Sequence, residues 1–219
     1  MGALTGDVEG VRIGLVKEFF ELPVDSEVRD AVYKSMDVLD SLGAIVREVS
    51  WPMYLPPTAA STAILLADTS ASLQELAMEH GDKIDLSVRN KIESGMFIPV
   101  TKYIRAKQAS AMINKESYDL LTEVDILAGP TVPTTAPKID DDVVQVGDTK
   151  MPKAAAVLQY TRVYNLNGLP TISVPCGFSE SGLPIGLQLA GRAFDEVTVL
   201  KVAHAYEQAT SWHQRRPPL

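Results

Sequence analysis

The sequence is poor in the residues on which self-contained catalysis most often rests. A single cysteine, Cys176, occurs in 219 residues, so no disulfide can close within the chain and no cysteine-based metal site can form. A reducing, cytoplasmic setting is the expectation. The three histidines, His80, His204 and His213, show neither the paired spacing of a zinc helix nor an evident triad partner, and they read as structural or surface residues. No apolar run approaches the roughly 20 residues of a membrane span. The opening MGALTGDVEG has neither the basic nor the apolar region of a secretory signal, so membrane association is not expected. Basic residues are outnumbered, 20 against 28 acidic ones, for a formal net charge of -8. That balance argues against a nucleic-acid partner, because phosphate binding needs clustered cations. Glycines are scattered, without a phosphate loop or a dinucleotide fingerprint, so no cofactor is expected.

What is present is ample material for a core. The chain is 46% apolar, and a domain of this size buries roughly 70% of the surface its unfolded chain exposes. Val11 to Val16 reads as a buried strand. Asp25 then stands where a helix N-cap belongs, and Val28, Val32, Met36 and Leu39 recur at helical spacing up to about Leu42. Gly43 ends that helix and Ala44 to Val49 is a second strand, an order that predicts a parallel crossover. A helical insertion follows over 55–122. Val124 to Ala128 is the third strand, running into the proline-bearing loop of 129–137, where helix is excluded. The acidic segment 138–150 reads as an exposed, mobile loop. Pro152 to about Tyr164 predicts one helix, Thr171 to Pro175 a fourth strand, Ile185 to Ala190 a fifth, and Asp195 to Thr210 a closing helix. The fold class is α/β with a helical excursion.

Isolated motifs offer little chemistry. Gly177-Phe178-Ser179-Glu180-Ser181-Gly182 is similar in composition to a nucleophile elbow, but it falls between two strands and reads as a hairpin. Cys176 has no activating neighbour in sequence and reads as an inert, partly buried thiol. Met78, Met96, Tyr103 and Met112 could line an apolar pocket, yet core packing is the default for such residues.

Three blocks taken in order point further. Gly10-Val11-Arg12-Ile13-Gly14-Leu15 with Leu42-Gly43-Ala44 is the first, and Val124-Asp125-Ile126-Leu127 with Gly129-Pro130-Thr131-Val132-Pro133 is the second. The third runs from Thr161 through Asn165-Leu166-Asn167-Gly168-Leu169-Pro170 to Gly177 and continues at Leu183-Pro184-Ile185-Gly186-Leu187-Gln188-Leu189. Together they resemble the C-terminal half of the amidase-signature family, which includes general amidases and the amidase subunit of tRNA-dependent amidotransferases. The resemblance implies a mixed sheet flanked by helices, of which this chain supplies one part.

For mechanism the resemblance implies a serine nucleophile, a second serine in a cis peptide and a lysine, all in a Gly/Ser-rich N-terminal region. This chain has neither adjacent serines nor adjacent glycines, so that segment is expected to be missing, with no catalytic residue here and the isolated chain silent. The residues carried over as substrate-binding are Arg162, Asn165 and Thr131. The plainer alternatives are that Asn165 caps its helix, Arg162 makes a surface ion pair, and Thr131 and Thr134 satisfy backbone groups. Glutamine-hydrolysing members place an acidic residue seven positions before the Asn, where this chain has Leu158, which favours a general amidase. The implied partners are a small-molecule amide, the missing N-terminal half and a second copy of the chain, joined through an exposed sheet edge. The rival class is a noncatalytic binding or interaction module built on the same half-fold.

Overall fold

Alternating apolar residues at the start of the chain build β1 (Arg12–Val16) and, after the short α1 (Glu18–Glu21), α2 (Ser26–Ser41) returns the chain to β2 (Ile45–Val49). The computed structural model describes residues 4–54 and 58–216. The remaining elements are α3 (Thr58–His80), α4 (Leu86–Gly95), α5 (Val100–Glu123), β3 (Ile126–Pro130), β4 (Val143–Val146) and β5 (Thr149–Pro152). They continue with α6 (Lys153–Val157), α7 (Thr161–Asn167), β6 (Thr171–Phe178), β7 (Pro184–Gly191) and α8 (Glu196–Ala209). Two units result, one of Met1–Leu55 with Glu116–Leu219 and one of Pro56–Lys115.

The first unit holds a five-stranded mixed sheet in the order β2-β1-β3-β7-β6. β1 is parallel to β2 and β3, as a helical crossover requires. β7 is antiparallel to β3 and β6, and the segment from Ser179 to Leu183 closes a hairpin between β6 and β7, as its position between two strands predicts. One face of the sheet presents Ile13, Leu15, Ile126, Ala128, Val174, Leu187 and Leu189 to the apolar stripes of α2 and α8, and all are buried. Each large aliphatic side chain so buried contributes about 1.5–3 kcal/mol.

The other face alternates with the first and bears small or polar residues, among them Gly129, Gly186, Gln188 and Ser173. The Phe19 ring lies over Gly129. It meets Tyr54 edge-on at 4.3 Å between centroids and Tyr160 at 5.1 Å.

Several sequence expectations are corrected here. The helix expected from Pro152 to Tyr164 is two helices with a break at 158–160. The break is held by distant partners: the Tyr54 hydroxyl donates to the Gln159 carbonyl at 2.5 Å, and the Tyr160 hydroxyl donates to the Phe19 carbonyl at 2.7 Å. The acidic segment 138–150 is not a plain loop, since β4 and β5 form a hairpin. Its turn is fixed by Asp25, whose Oδ1 accepts from the Gly147 amide at 2.7 Å. Asp25 therefore precedes α2 as expected but directs its side chain away from that helix.

The second unit comprises α3, α4 and the greater part of α5. Asp85 caps α4 by accepting from the Ser87 amide at 2.9 Å, and Tyr103 donates to Asp68 at 3.1 Å. Met78, Met96 and Met112 are all exposed, so the default of core packing fails for them. Among the described residues no helix is long and apolar enough to cross a membrane.

Candidate functional site

β3 ends in Gly129-Pro130, and proline forces the chain out of the ladder after one more backbone bond, from the Thr131 amide to the Gly186 carbonyl at 2.9 Å. Thr131 is thereby set above the second face of the sheet. Its Oγ1 lies 2.6 Å from Oγ of Ser173 on β6. Gly186 lies beneath the pair, and a Cβ added there would stand 2.7 Å from each hydroxyl oxygen. Two residues along β7, and so on the same face, Gln188 sits opposite Ser173 in the register. Only glycine at 186 leaves room for hydroxyls from two strands to meet.

α7 forms the adjoining wall. It ends at Gly168, whose φ of 70° closes the helix in the left-handed conformation while its amide donates to the Tyr164 carbonyl. The Asn at the helix end is Asn167, whose Oδ1 accepts from the Leu169 amide at 3.1 Å. Asn165 thus lies inside the helix, and the alternative that made it the cap is corrected. Asn165 is exposed and Tyr164 is buried; burial raises the Tyr164 hydroxyl above its ordinary pKa, so it is a neutral donor at all working pH values.

Together Thr131, Thr161, Tyr164, Asn165, Leu169, Thr171, Ile172, Ser173 and Gln188 line a hollow of about 340 Å³. Of the three residues singled out from the sequence, it brings together Thr131 and Asn165. Arg162, at the start of the same helix, is half-buried and does not line it, and Thr134 is buried away from it. Sequence reasoning missed Ser173, Gln188 and Gly186 as site residues. The available signal was a lone amide side chain in the otherwise apolar run Ile185 to Ala190.

Every lining residue is uncharged, so the hollow has no carboxylate, lysine or histidine to act as a general base. One lining residue also carries an unanswered polar atom, turned away from solvent. Gln188 is only 5% exposed, and its Oε1 is buried without a hydrogen-bond partner. Such an orphan costs about 1–3 kcal/mol, and buried acceptors in folded proteins are nearly always met by some partner. The arrangement is suited to holding a neutral polar group rather than to breaking a bond.

Other nucleophile candidates are already occupied. Cys176 is buried, and desolvation pushes its thiol up to about 12, which removes the reactive thiolate. The Ser179 hydroxyl accepts from the Leu183 amide at 3.1 Å, so it shapes the hairpin. A larger hollow of about 1000 Å³ surrounds the start of α2, but there Asp25 and Glu27 already accept from the Gly147 and Glu180 amides.

Comparison with known proteins agrees with this architecture. The family model described as Amidase matches residues 3–200. The chain is 38% identical over 241 aligned residues to one subunit of the glutamyl-tRNA(Gln) amidotransferase of Brevibacillus brevis, covering 99% of this chain and 48% of that protein. It is 35% identical over 215 residues to an amidase of Pseudomonas putida, covering 97% of this chain and 46% of that one. A crystal structure of an amidase superposes with a TM-score of 0.84 at 26% identity, over 92% of this chain and 46% of the other. The chain spans about half the length of the curated relatives it matches.

Proposed function

The chain belongs to the amidase family, and from that premise we propose that it forms one wall of the substrate pocket of an enzyme that hydrolyses carbon–nitrogen amide bonds. The observation that supports this reading is the uncharged hollow at the end of β3, where Thr131, Ser173 and Gln188 converge beside Asn165. In this reading Thr131 and Asn165 contact the substrate. A neutral amide fits better than glutamine, because Leu158 offers no carboxylate to an ammonium group. The nucleophile, its base and the oxyanion site, which acyl transfer requires, come from polypeptide outside these residues.

The setting in this reading is the cytoplasm, where the single buried thiol stays reduced. The chain also associates with a copy of itself. β6 ends the sheet with the uncharged run Thr171 to Phe178, whereas the opposite edge, β2, is guarded by Arg47 and Glu48; uncharged edges invite strand pairing.

The test uses the 219-residue chain with simple aryl and aliphatic amides. Binding without turnover is expected, weakened by Asn165→Ala. Turnover above that of serine-to-alanine controls would overturn the assignment of bond breaking to another segment. Sedimentation of the same preparation at low micromolar concentration should show a dimer or larger species, and monomer alone would count against self-association.

A further inference from the structure

We propose that the corner where α4 meets α5 is a peripheral docking surface for an anionic lipid bilayer. The inference goes beyond the amide-binding reading and does not depend on it. The sequence argues only against spanning and secretory segments, and a surface that rests on a membrane needs neither.

The first support is an apolar tip that nothing in its own unit covers. Gly95, at the end of α4, is pressed against the Leu66 carbonyl of α3 with no room for a Cβ, and the chain turns outward at once. Met96 and Phe97 form the turn, and Pro99 precedes Val100, the first residue of α5. Phe97 is 82% exposed and Val100 69%, and Ile104 follows Val100 on the same exposed side of the helix. The opposite side, with Ala106, Ser110, Ile113 and Ser117, is the buried one. A phenylalanine so exposed holds no core together, and its apolar surface is available to a partner.

The second support is charge, and it identifies the partner. Between Ser94 and Lys115 the chain has four basic residues, Lys102, Arg105, Lys107 and Lys115, and no acidic one, although acids outnumber bases 28 to 20 in the whole sequence. Lys102, Arg105 and Lys107 are exposed and form no ion pair among the described residues. Glu93, the acid that precedes this stretch, is paired with Arg89 at 2.6 Å, and Asp68 on α3 accepts from the Tyr103 hydroxyl at 3.1 Å. The helical rise then sets the depth. The three cations lie about 3 to 11 Å along the axis behind Val100, which matches the roughly 5–10 Å to which an apolar face enters the headgroup boundary. The negative charge of the rest of the chain does not cancel the attraction, because physiological salt screens charges beyond about 8 Å. A soluble anion would satisfy the cations and leave Phe97 and Val100 in water. An anionic surface with an apolar interior answers both.

The experiment co-sediments the 219-residue chain with vesicles of phosphatidylcholine alone and of phosphatidylcholine with phosphatidylglycerol in equal parts. Binding is expected to the mixed vesicles only, and it should fall as salt is added. Arg105→Ala should weaken it about fivefold, the equivalent of about 1 kcal/mol for one cation at an anionic surface, while Arg105→Lys should retain it. Phe97→Ser should weaken it by about tenfold, through the loss of inserted apolar surface. Both side chains are exposed, so the variants should melt with the wild type, and a loss of binding then reports the surface rather than the fold. Equal binding to the two kinds of vesicle, or binding to neither, overturns the proposal. Full binding by Phe97→Ser does the same, since charge alone would then account for it. If the wild type ignores vesicles while sedimenting by itself as a larger species that Phe97→Ser converts to monomer, the corner is a contact between copies of the chain and the lipid assignment falls. None of these results bears on amide binding, which is measured separately.

Discussion

The two ends of β3 handle polar groups in opposite ways. Just before the strand, Asp125 accepts four hydrogen bonds: its Oδ2 from the amide and Nε of Arg12, and its Oδ1 from Arg12 and Arg192, at 2.8 to 3.1 Å. That is the full capacity of a carboxylate. Arg192 goes on to donate to the carbonyls of Leu121 and Val124, tying the end of α5 to β7. Just after the strand, Thr131 and Ser173 answer each other while Gln188 Oε1 goes unanswered. A polar cluster that satisfies itself is a fastening, whereas one that borders a hollow through an exposed hydroxyl, as Ser173 does, can meet a ligand. The difference predicts that substitutions at the Asp125 end act mainly on stability and those at the Thr131 end mainly on binding.

The largest effect is expected from Asp125→Ala. It removes four acceptor contacts, leaving the Arg12 guanidinium without its anion and Arg192 with only the more distant Asp195 at 4.0 Å. The side chain is 22% exposed, so water recovers part of the loss and a cost of about 2 kcal/mol is expected, read as a lowered urea midpoint with unchanged slope. The Arg12 side-chain hydrogen bond, with help from Arg192, holds the Asp125 carboxyl well below the usual carboxylate range. A folded-state pKa below the unfolded one means that the contribution is complete above about pH 4 and fades as pH falls through the depressed value. Asp125→Asn should therefore flatten the acid limb of the stability profile. An unchanged limb would show that the cluster is not a fastening.

Gly186→Ala comes next. A methyl group at 2.7 Å from both hydroxyl oxygens must displace Thr131 or Ser173, and overpacking of this kind costs about 1–3 kcal/mol. Ser173 is exposed and can turn toward solvent, so a value near the low end is expected. The informative readout is amide binding, which should fall further than stability does. If thermal melting drops and binding holds, the pair is part of the scaffold and the contrast between the two ends fails.

How far the sequence discloses all this depends on where each interaction finds its partner. The crossover through β1, α2 and β2 is legible because strand alternation, helical spacing and the Gly43 turn all lie within one stretch of chain. The hairpin of β6 and β7 is legible for the same reason. The break between α6 and α7 is not, because it is set by Tyr54 and Phe19 from more than a hundred residues away. The β4–β5 hairpin is hidden by its acidic composition and fixed by Asp25 across 122 positions. The site divides along the same line. Thr131 and Asn165 could be marked from their motifs, but Ser173, Gly186 and Gln188 gain their meaning only from the register of three strands, which no single strand records.

The smallest effect is expected from Thr131→Val, and it tests the contrast between the two ends most directly. Valine keeps the β-branched shape that suits the end of a strand, so packing is conserved and only the hydroxyl is lost. A hydrogen bond of this kind is worth about 1 kcal/mol when its partner is stranded by the loss, but the Ser173 hydroxyl is exposed and can bond to water instead. The net change in stability should therefore be roughly a few tenths of a kcal/mol. Removing the Thr131 oxygen also frees the Ser173 hydrogen to rotate, so the donor persists but is no longer held in place. Amide binding should weaken by about threefold, the mark of lost orientation rather than lost contact. A stability loss as large as that of Asp125→Ala would mean that both ends of the strand are fastenings and that the hollow beside Thr131 is incidental.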